Sequence, residues 1–130
     1  MTQSQIEKWQ RDDKYLNKQN DCYVYFILHG YEGYLESIVR RKWDEKSYVK
    51  VGISKDPKKR LSTIQLSNPI ELIILGYIPG NETIEKKIHH HLKEHHSRGE
   101  WFKYNYQVHE FIDGLYLLDY KGEKQHSYYD

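Results

Sequence analysis

The sequence predicts an α+β fold, in which a small central antiparallel β-sheet of about three strands is flanked by helices. Runs of β-branched and aromatic residues predict the strands, and segments with an apolar stripe and clear start and stop signals predict the helices. The chain has 130 residues, of which 38% are apolar, and this is enough for one folded core. We therefore expect a single folded domain.

The first half of the chain alternates helix and strand signals. Residues 1–20 carry apolar side chains at loosely helical intervals in "SQIEKWQRDDKYLNKQ", which predicts an N-terminal helical extension. The run "CYVYFILHG" predicts a buried strand, and "YVKVGIS" predicts a second strand antiparallel to the first. Residues 31–47 between them are polar and charged, which predicts a loop with about one helical turn.

A helix is predicted to follow the second strand. Asp56 can cap its free N–H groups, and Pro57 fits the first helical position, where its missing N–H costs nothing. The segment "PKKRLSTIQL" is then expected to bury Leu61, Ile64 and Leu66.

The remaining elements are a strand, a helix, a short strand and a helix. "NPIELIILGYIPG" predicts the strand, and Asn81 caps the helix "ETIEKKIHHHLKEHH", which Gly99 ends. "EWFKY" predicts the short strand and "QVHEFIDGLYLLDY" the closing helix. We place the domain at residues 21–118 and expect a frayed tail at residues 119–130.

The sequence predicts an intracellular protein that does not insert into a membrane. Cys22 is the single cysteine, so no internal disulfide is expected, and the N-terminal residues lack the apolar run of a secretory signal. The longest apolar run, "IELIILGYI", is too short to span a membrane and contains a glutamate and a glycine.

Positive charge is concentrated in one segment of the chain. Residues 40–60 hold nine lysines and arginines against three acids, although the whole chain has a net charge of only +1. Such a segment is typical of a surface that contacts a polyanion, and a solvated charged face is the alternative. The predicted nucleic-acid-binding residues are Arg40, Arg41, Lys42, Lys55, Lys58 and Lys59.

Several short motifs occur in a fixed order. They are "YVYFI", "KVGIS", an arginine eight residues beyond Gly52, a glutamate in a later helix, and "GEWF". This ordered set resembles the GIY-YIG nuclease superfamily, and within it the phage and bacterial branch whose second motif is K-x-G. The resemblance covers residues 22–104. It implies that residues 21–118 form a single GIY-YIG-like nuclease domain, with a phage or a virus as the expected source.

The resemblance implies a divalent-metal-dependent endonuclease that hydrolyses phosphodiester bonds in DNA. Carried over by motif, Tyr25 is the tyrosine of the first motif, Arg60 is the arginine, and Glu85 is the metal-binding glutamate, with Mg²⁺ or Mn²⁺ as the metal. Lys50 stands where many members have a second tyrosine, and Ile64 stands where some have a histidine. The departure at Lys50 leaves open which side chain activates water, and the departure at Ile64 removes one candidate base.

The residue types also suit phosphodiester hydrolysis on chemical grounds. The reaction needs a cation on a phosphate oxygen, an activated water and stabilisation of developing charge. Glu85 supplies an oxygen ligand for the metal, and Arg60 offers a planar fork for phosphate. Tyr25 and Lys50, on neighbouring strands, are candidates to hold or deprotonate the water. His89, one helical turn after Glu85, could touch the metal or the scissile phosphate.

Other interpretations stay open at this level. The main alternative is a catalytically silent nucleic-acid-binding or regulatory module, which the departure at Lys50 favours. His91, Glu94 and His95 satisfy the H-x-x-E-H pattern of inverted zinc peptidases, but a short motif without its structural context is a weak signal. Glu100 is interpreted as mainly structural, with an approach to the metal as the alternative.

DNA is the expected partner, RNA is left open, and the protein is expected to act as a monomer or a homodimer. Substrate choice is expected to lie in the basic insertion at residues 31–47, which contains Trp43. Asn105 is interpreted as a helix cap, with a place near the site as the alternative.

Overall fold

A computed structural model of the chain describes residues 22–31, 35, 40, 46–115, 117 and 118. The strands in this part of the chain are β1 (Tyr23–His29), β2 (Tyr48–Ser54), β3 (Leu72–Pro79), β4 (His96–Arg98) and β5 (Trp101–Lys103). The helices are α1 (Pro57–Leu66), α2 (Glu82–His91) and α3 (Tyr106–Asp113), with a short 3-10 helix at Lys93–His95. The α+β class is confirmed.

The strands form one antiparallel sheet with the order β3-β1-β2-β5-β4. The expected sheet of about three strands is therefore too small, because the described residues form five. The strand that the sequence did not indicate is β4, since its three residues are exposed and polar and carry no apolar alternation. β4 instead pairs with β5 through the turn that contains Gly99.

Local capping explains where the helices begin. Asp56 Oδ1 accepts a hydrogen bond from the backbone N–H of Lys59 (3.1 Å), and Pro57 opens α1. Asn81 Oδ1 accepts from the backbone of Thr83 and Ile84 at the start of α2. Both predicted helix starts are confirmed.

The ends of two predicted helices are wrong. α2 ends at His91 rather than continuing to Gly99, and the backbone tightens into the 3-10 turn beyond it. α3 ends at Asp113, with Gly114 as its C-terminal cap, so the apolar residues after it do not extend the helix. Leu118 instead forms a β-bridge with Tyr77 of β3.

Two apolar layers lie on opposite faces of the sheet. The larger one packs α2 and α3 against β1 and β2, with Val24, Phe26, Ile88 and Phe102 among its buried residues. The smaller one contains Tyr25, Ile27 and Leu72, covered by Leu61 and Ile64 of α1. Leu66 is 90% exposed, so its expected burial is wrong.

The predicted N-terminal extension at 1–20, the tail at 119–130 and nearly all of the insertion at 31–47 lie outside the described residues. The domain boundaries therefore stay predictions. Among the residues described, no helix is long and apolar enough to cross a membrane.

Candidate active site at the end of strand β2

Gly52 brings two functional groups together above the backbone of β2. It lies directly opposite Tyr25 in the pairing of β1 with β2. A Cβ at position 52 would lie 2.5 Å from Cζ of Tyr25 and 2.7 Å from Oε2 of Glu100, and it would also collide with the Tyr25 hydroxyl. The absence of a side chain therefore lets the Tyr25 phenol and the Glu100 carboxylate occupy the same small volume.

Backbone pairing between β2 and β5 places Glu100. The N–H of Val51 donates to the carbonyl of Glu100 (2.9 Å), and Lys50 pairs with Trp101 as the next step of the ladder. Nζ of Lys50 lies 3.8 Å from Oε1 of Glu100 and 5.6 Å from the centre of the Trp101 ring. Glu100 thus sits where the pairing of β5 with β2 begins, beside a lysine that is only 13% exposed.

Helix α2 contributes two further groups from the other side of β2. Glu85 and His89 are one turn apart and both half-buried. Nε2 of His89 lies 2.8 Å from the carbonyl oxygen of Val51, and the ring packs edge-on against Phe102 with centroids 5.0 Å apart. The imidazole is therefore fixed by one hydrogen bond and one aromatic contact.

Glu85, His89 and Glu100 converge on one point. Each offers one ligand atom, and these atoms lie within 4.8 Å of one another. No other group of three such residues occurs in the described part of the chain. Two carboxylates and an imidazole are a donor set that suits a divalent cation such as Mn²⁺, and the oxygens also suit Mg²⁺. The residues present therefore fit a metal ion.

The electrostatics of this cluster also favour a cation. Burial raises the pKa of Glu85 above its usual value, and the nearby Glu100 carboxylate raises it further, while His89 and Lys50 lower it. Two partly buried carboxylates repel each other, and a divalent cation between them would relieve that repulsion. The raised pKa means that ionisation of Glu85 is costly here, and a nearby divalent cation would offset that cost.

Arg60 and Tyr25 form the second half of the site. Arg60 is exposed, lies in the first turn of α1, and is close enough to the Tyr25 side chain to influence its pKa. Burial raises the pKa of Tyr25, and the charges of Glu100 and Glu85 add to this, whereas Arg60 opposes it. The phenol is accordingly protonated at neutral pH, and its hydroxyl and the Glu100 carboxylate both lie close to Gly52.

The structure thus gathers Tyr25, Lys50, Arg60, Glu85 and His89, the five predicted catalytic residues, at one end of β2. Glu100 is the metal-ligand candidate that was not among them. The signal in the sequence was the position of Glu100, an acid directly before "WF". The Glu100 carboxylate reaches the cluster because β5 pairs with β2, and sequence spacing does not reveal that pairing.

The predicted nucleic-acid-binding residues are only partly placed. Lys55, Lys58 and Lys59 are exposed around the start of α1, next to Arg60, and Arg40 is exposed as well. Arg41 and Lys42 lie outside the described residues. The cations of α1 therefore border the candidate active site on its exposed side.

The zinc-peptidase pattern does not form its motif. His91 is the last residue of α2, whereas Glu94 and His95 belong to the 3-10 turn, so the three do not share one helix face. Nδ1 of His95 accepts a hydrogen bond from the Asn105 side chain (2.9 Å). Asn105 also caps α3 through the N–H of Val108, which makes its role structural.

Comparison with known families corrects the expected relationship. The T5orf172 domain family matches residues 23–115, which include the whole candidate active site, and no match to the GIY-YIG superfamily was found. No curated protein and no solved structure matches the chain. The interpretation as a GIY-YIG nuclease is therefore wrong at the level of family: short motifs with one or two fixed residues do not separate families that share a residue pattern.

T5orf172 domains are associated with nucleases and DNA binding, which agrees with a nucleic-acid-related function. Because the match spans most of the chain, this protein belongs to the T5orf172 domain family.

Proposed function

We propose that this protein is a divalent-metal-dependent endonuclease that hydrolyses phosphodiester bonds in DNA. One observation carries the proposal: the ligand atoms of Glu85, His89 and Glu100 lie within 4.8 Å of one another, and the Tyr25 phenol beside Glu100 is close enough to Arg60 for the guanidinium to lower its pKa. A module that only binds nucleic acid gains nothing from two carboxylates facing a phosphate, because like charges repel.

Glu85, Glu100 and His89 are the residues that would hold the cation, Mg²⁺ or Mn²⁺. When bound, such a cation polarises a phosphate oxygen and lowers the pKa of a bound water. Glu85 and Glu100 must be ionised to bind it, and His89 must be neutral.

The remaining residues act directly on the substrate in this proposal. Arg60 is exposed near the N-terminus of α1, so its fork can pair with a phosphate of an approaching strand and neutralise charge that develops there. Tyr25 stays protonated, because its pKa is raised, so it positions the attacking water or a phosphate oxygen as a hydrogen-bond partner. Lys50, held beside Glu100, supplies an ammonium donor on the face of the sheet that also carries Tyr25.

The surface around this site suits a polyanion. Lys55, Lys58 and Lys59 are exposed at the start of α1, and Asp56 in this stretch is occupied as the helix cap. The dipole of α1 adds positive potential at the same end of the helix. DNA is the substrate that we propose, and RNA is the alternative that a direct comparison of the two would separate.

Incubation with supercoiled plasmid tests the proposal. Wild-type protein should nick the plasmid with Mg²⁺ or Mn²⁺ and fail to do so with chelator. Glu85→Gln should lower the nicking rate at least about 100-fold, since it removes a metal ligand with little change in shape. Glu82→Gln, an exposed glutamate one turn earlier on α2, is the matched control and should cleave like wild type.

The contrary outcomes are equally clear. Nicking that survives the chelator or Glu85→Gln would rule out the metal site. A gel shift of DNA that needs no metal, without any nicking by wild type, would show a binding module instead of an enzyme.

A further inference from the structure

A second concave site lies on the face of the sheet that carries Tyr25 and Lys50. It is a cavity of about 560 Å³ lined by His29, Tyr48, Asn68, Ser97, Arg98 and Trp101. We propose that this cavity binds an unpaired nucleobase of the strand whose phosphate lies at the Glu85, His89 and Glu100 cluster. This inference rests on the proposed function, and it adds a substrate class: DNA with an unstacked nucleotide next to the cleavage site.

The walls of the cavity are aromatic. The His29 ring lies edge-on to Tyr48 (centroids 6.4 Å apart, 65° between planes) and to Trp101 (6.0 Å, 82°). All three side chains are only partly buried, so they present ring surface to the cavity. Aromatic side chains that face a groove are the usual platform on which proteins stack unpaired bases.

The polar groups in the cavity match the edge of a base. Asn68 offers its side-chain NH₂ as a donor, while its Oδ1 already accepts from the backbone N–H of Ile70 (3.1 Å). Arg98 offers an exposed guanidinium that can stack on a base or bind a phosphate. Nδ1 of His29 is buried and has no hydrogen-bond partner among the described residues.

The register of the sheet connects the cavity to the candidate active site. Trp101, which lines the cavity, pairs with Lys50, whose ammonium lies over the indole ring at 5.6 Å. Tyr48 and Lys50 are two residues apart on β2 and therefore lie on the same face, about 7 Å apart along the strand. Glu100 directly precedes Trp101, so a candidate metal ligand and a wall of the cavity are neighbours in the chain.

The experiment compares two DNA duplexes that differ in one feature. One is fully paired, and the other carries a single unpaired 2-aminopurine as a bulge. Binding is measured with wild-type protein in chelator, where the proposed nuclease does not cut. We expect at least about fivefold tighter binding of the bulged duplex, the low end for one base stack on an aromatic ring, together with quenching of 2-aminopurine fluorescence.

Variants of Tyr48 connect the preference to the cavity. Tyr48→Leu should remove the bulge preference and the quenching, and Tyr48→Phe, which keeps the ring, should retain both. Tyr106→Leu is the matched control, because Tyr106 is an exposed tyrosine on α3, which packs on the opposite face of the sheet. Thermal unfolding of each variant verifies that the fold is intact.

Equal affinity for the two duplexes, or a bulge preference that survives Tyr48→Leu, would overturn the inference. The plasmid assay separates this failure from that of the proposed function: nicking without bulge preference rejects the cavity alone. Absence of both nicking and DNA binding rejects the proposed function, and the inference falls with it.

Discussion

Nε2 of His89 lies 2.8 Å from the carbonyl oxygen of Val51. A carbonyl oxygen can only accept, so His89 donates from Nε2, and in the neutral ring Nδ1 keeps its lone pair. A backbone carbonyl that fixes the second nitrogen of a histidine is the arrangement found around metal-ligating imidazoles. The central strand thus sets the tautomer of a candidate metal ligand that belongs to a helix.

The three-residue site predicts a defined pattern of metal affinity. Glu100→Gln and His89→Ala should each weaken Mn²⁺ binding by at least about tenfold, because each removes one ligand of the set. Electron paramagnetic resonance of free Mn²⁺ measures this without reference to cleavage. Glu94→Gln changes an exposed carboxylate of the neighbouring 3-10 turn and serves as the control. Wild-type affinity in Glu100→Gln would remove Glu100 from the site.

Gly52→Ala should damage both stability and activity. The added methyl group would lie 2.5 Å from the Tyr25 ring and 2.7 Å from the Glu100 carboxylate, so at least one of them must move. Overpacking of this kind costs about 1–3 kcal/mol, and urea unfolding would measure it. Gly114→Ala is the control, since Gly114 has a right-handed backbone (φ −80°) that alanine adopts freely. Full plasmid nicking by Gly52→Ala would show that the placement of Tyr25 and Glu100 is unimportant.

Arg60→Lys should separate charge from geometry. Lysine keeps the positive charge but loses the planar fork, so single-turnover cleavage should slow by at least about tenfold with little change in DNA affinity. Lys59→Ala removes an exposed neighbouring cation. The Lys59→Ala variant should bind DNA more weakly, and the slope of log affinity against log salt concentration should become shallower by about one. Its cleavage rate at saturating protein should stay unchanged. Equal cleavage rates for wild type and Arg60→Lys would assign Arg60 to binding alone.

His109 should make stability depend on pH below neutrality. Burial lowers the pKa of His109 below 6.5, and Nδ1 lies 2.8 Å from the Tyr104 hydroxyl. As pH falls from 6.5 towards the lower folded value, the unfolded chain takes up a proton before the folded chain does, so the free energy of unfolding decreases. NMR titration of the His109 ring should give a pKa below 6.5, and His109→Gln should reduce the loss of Tm in this window. A ring that titrates at or above 6.5 would contradict this prediction.

The fold was predictable where the signal is local. Asp56 and Pro57 start α1, and Asn81 starts α2, because capping depends on residues within one turn. β4 was not predictable, since its residues are all exposed and its pairing with β5 is set by the turn before Trp101. The burial of Leu66 was also predicted wrongly. Leu66 is the last residue of α1 and lies beyond the edge of the apolar layer that it was expected to cover.

The site was predictable in its residue types but not in its family. Tyr25, Arg60 and Glu85 were placed by motif order, and the structure brings them together. The sequence left the approach of Glu100 to the metal only as an alternative and did not indicate the aromatic cavity, because both depend on which strand lies next to β2. That neighbour is β5, about 50 residues further along the chain, and no periodicity within a segment encodes such a pairing.

The β4–β5 hairpin carries Glu100 at the edge of the sheet. β5 pairs with β2 through only three residue pairs, and all of β4 is exposed, whereas β1 is buried between two neighbours. Local opening of the hairpin would carry the candidate metal ligand Glu100 away and leave the core folded. Amide protons of β5 should therefore exchange with solvent at a lower free energy than those of β1. A cation bound by both Glu100 and Glu85 would raise the free energy of opening of the hairpin and so reduce the difference in exchange between β5 and β1. Cation binding and hairpin closure would then be thermodynamically coupled.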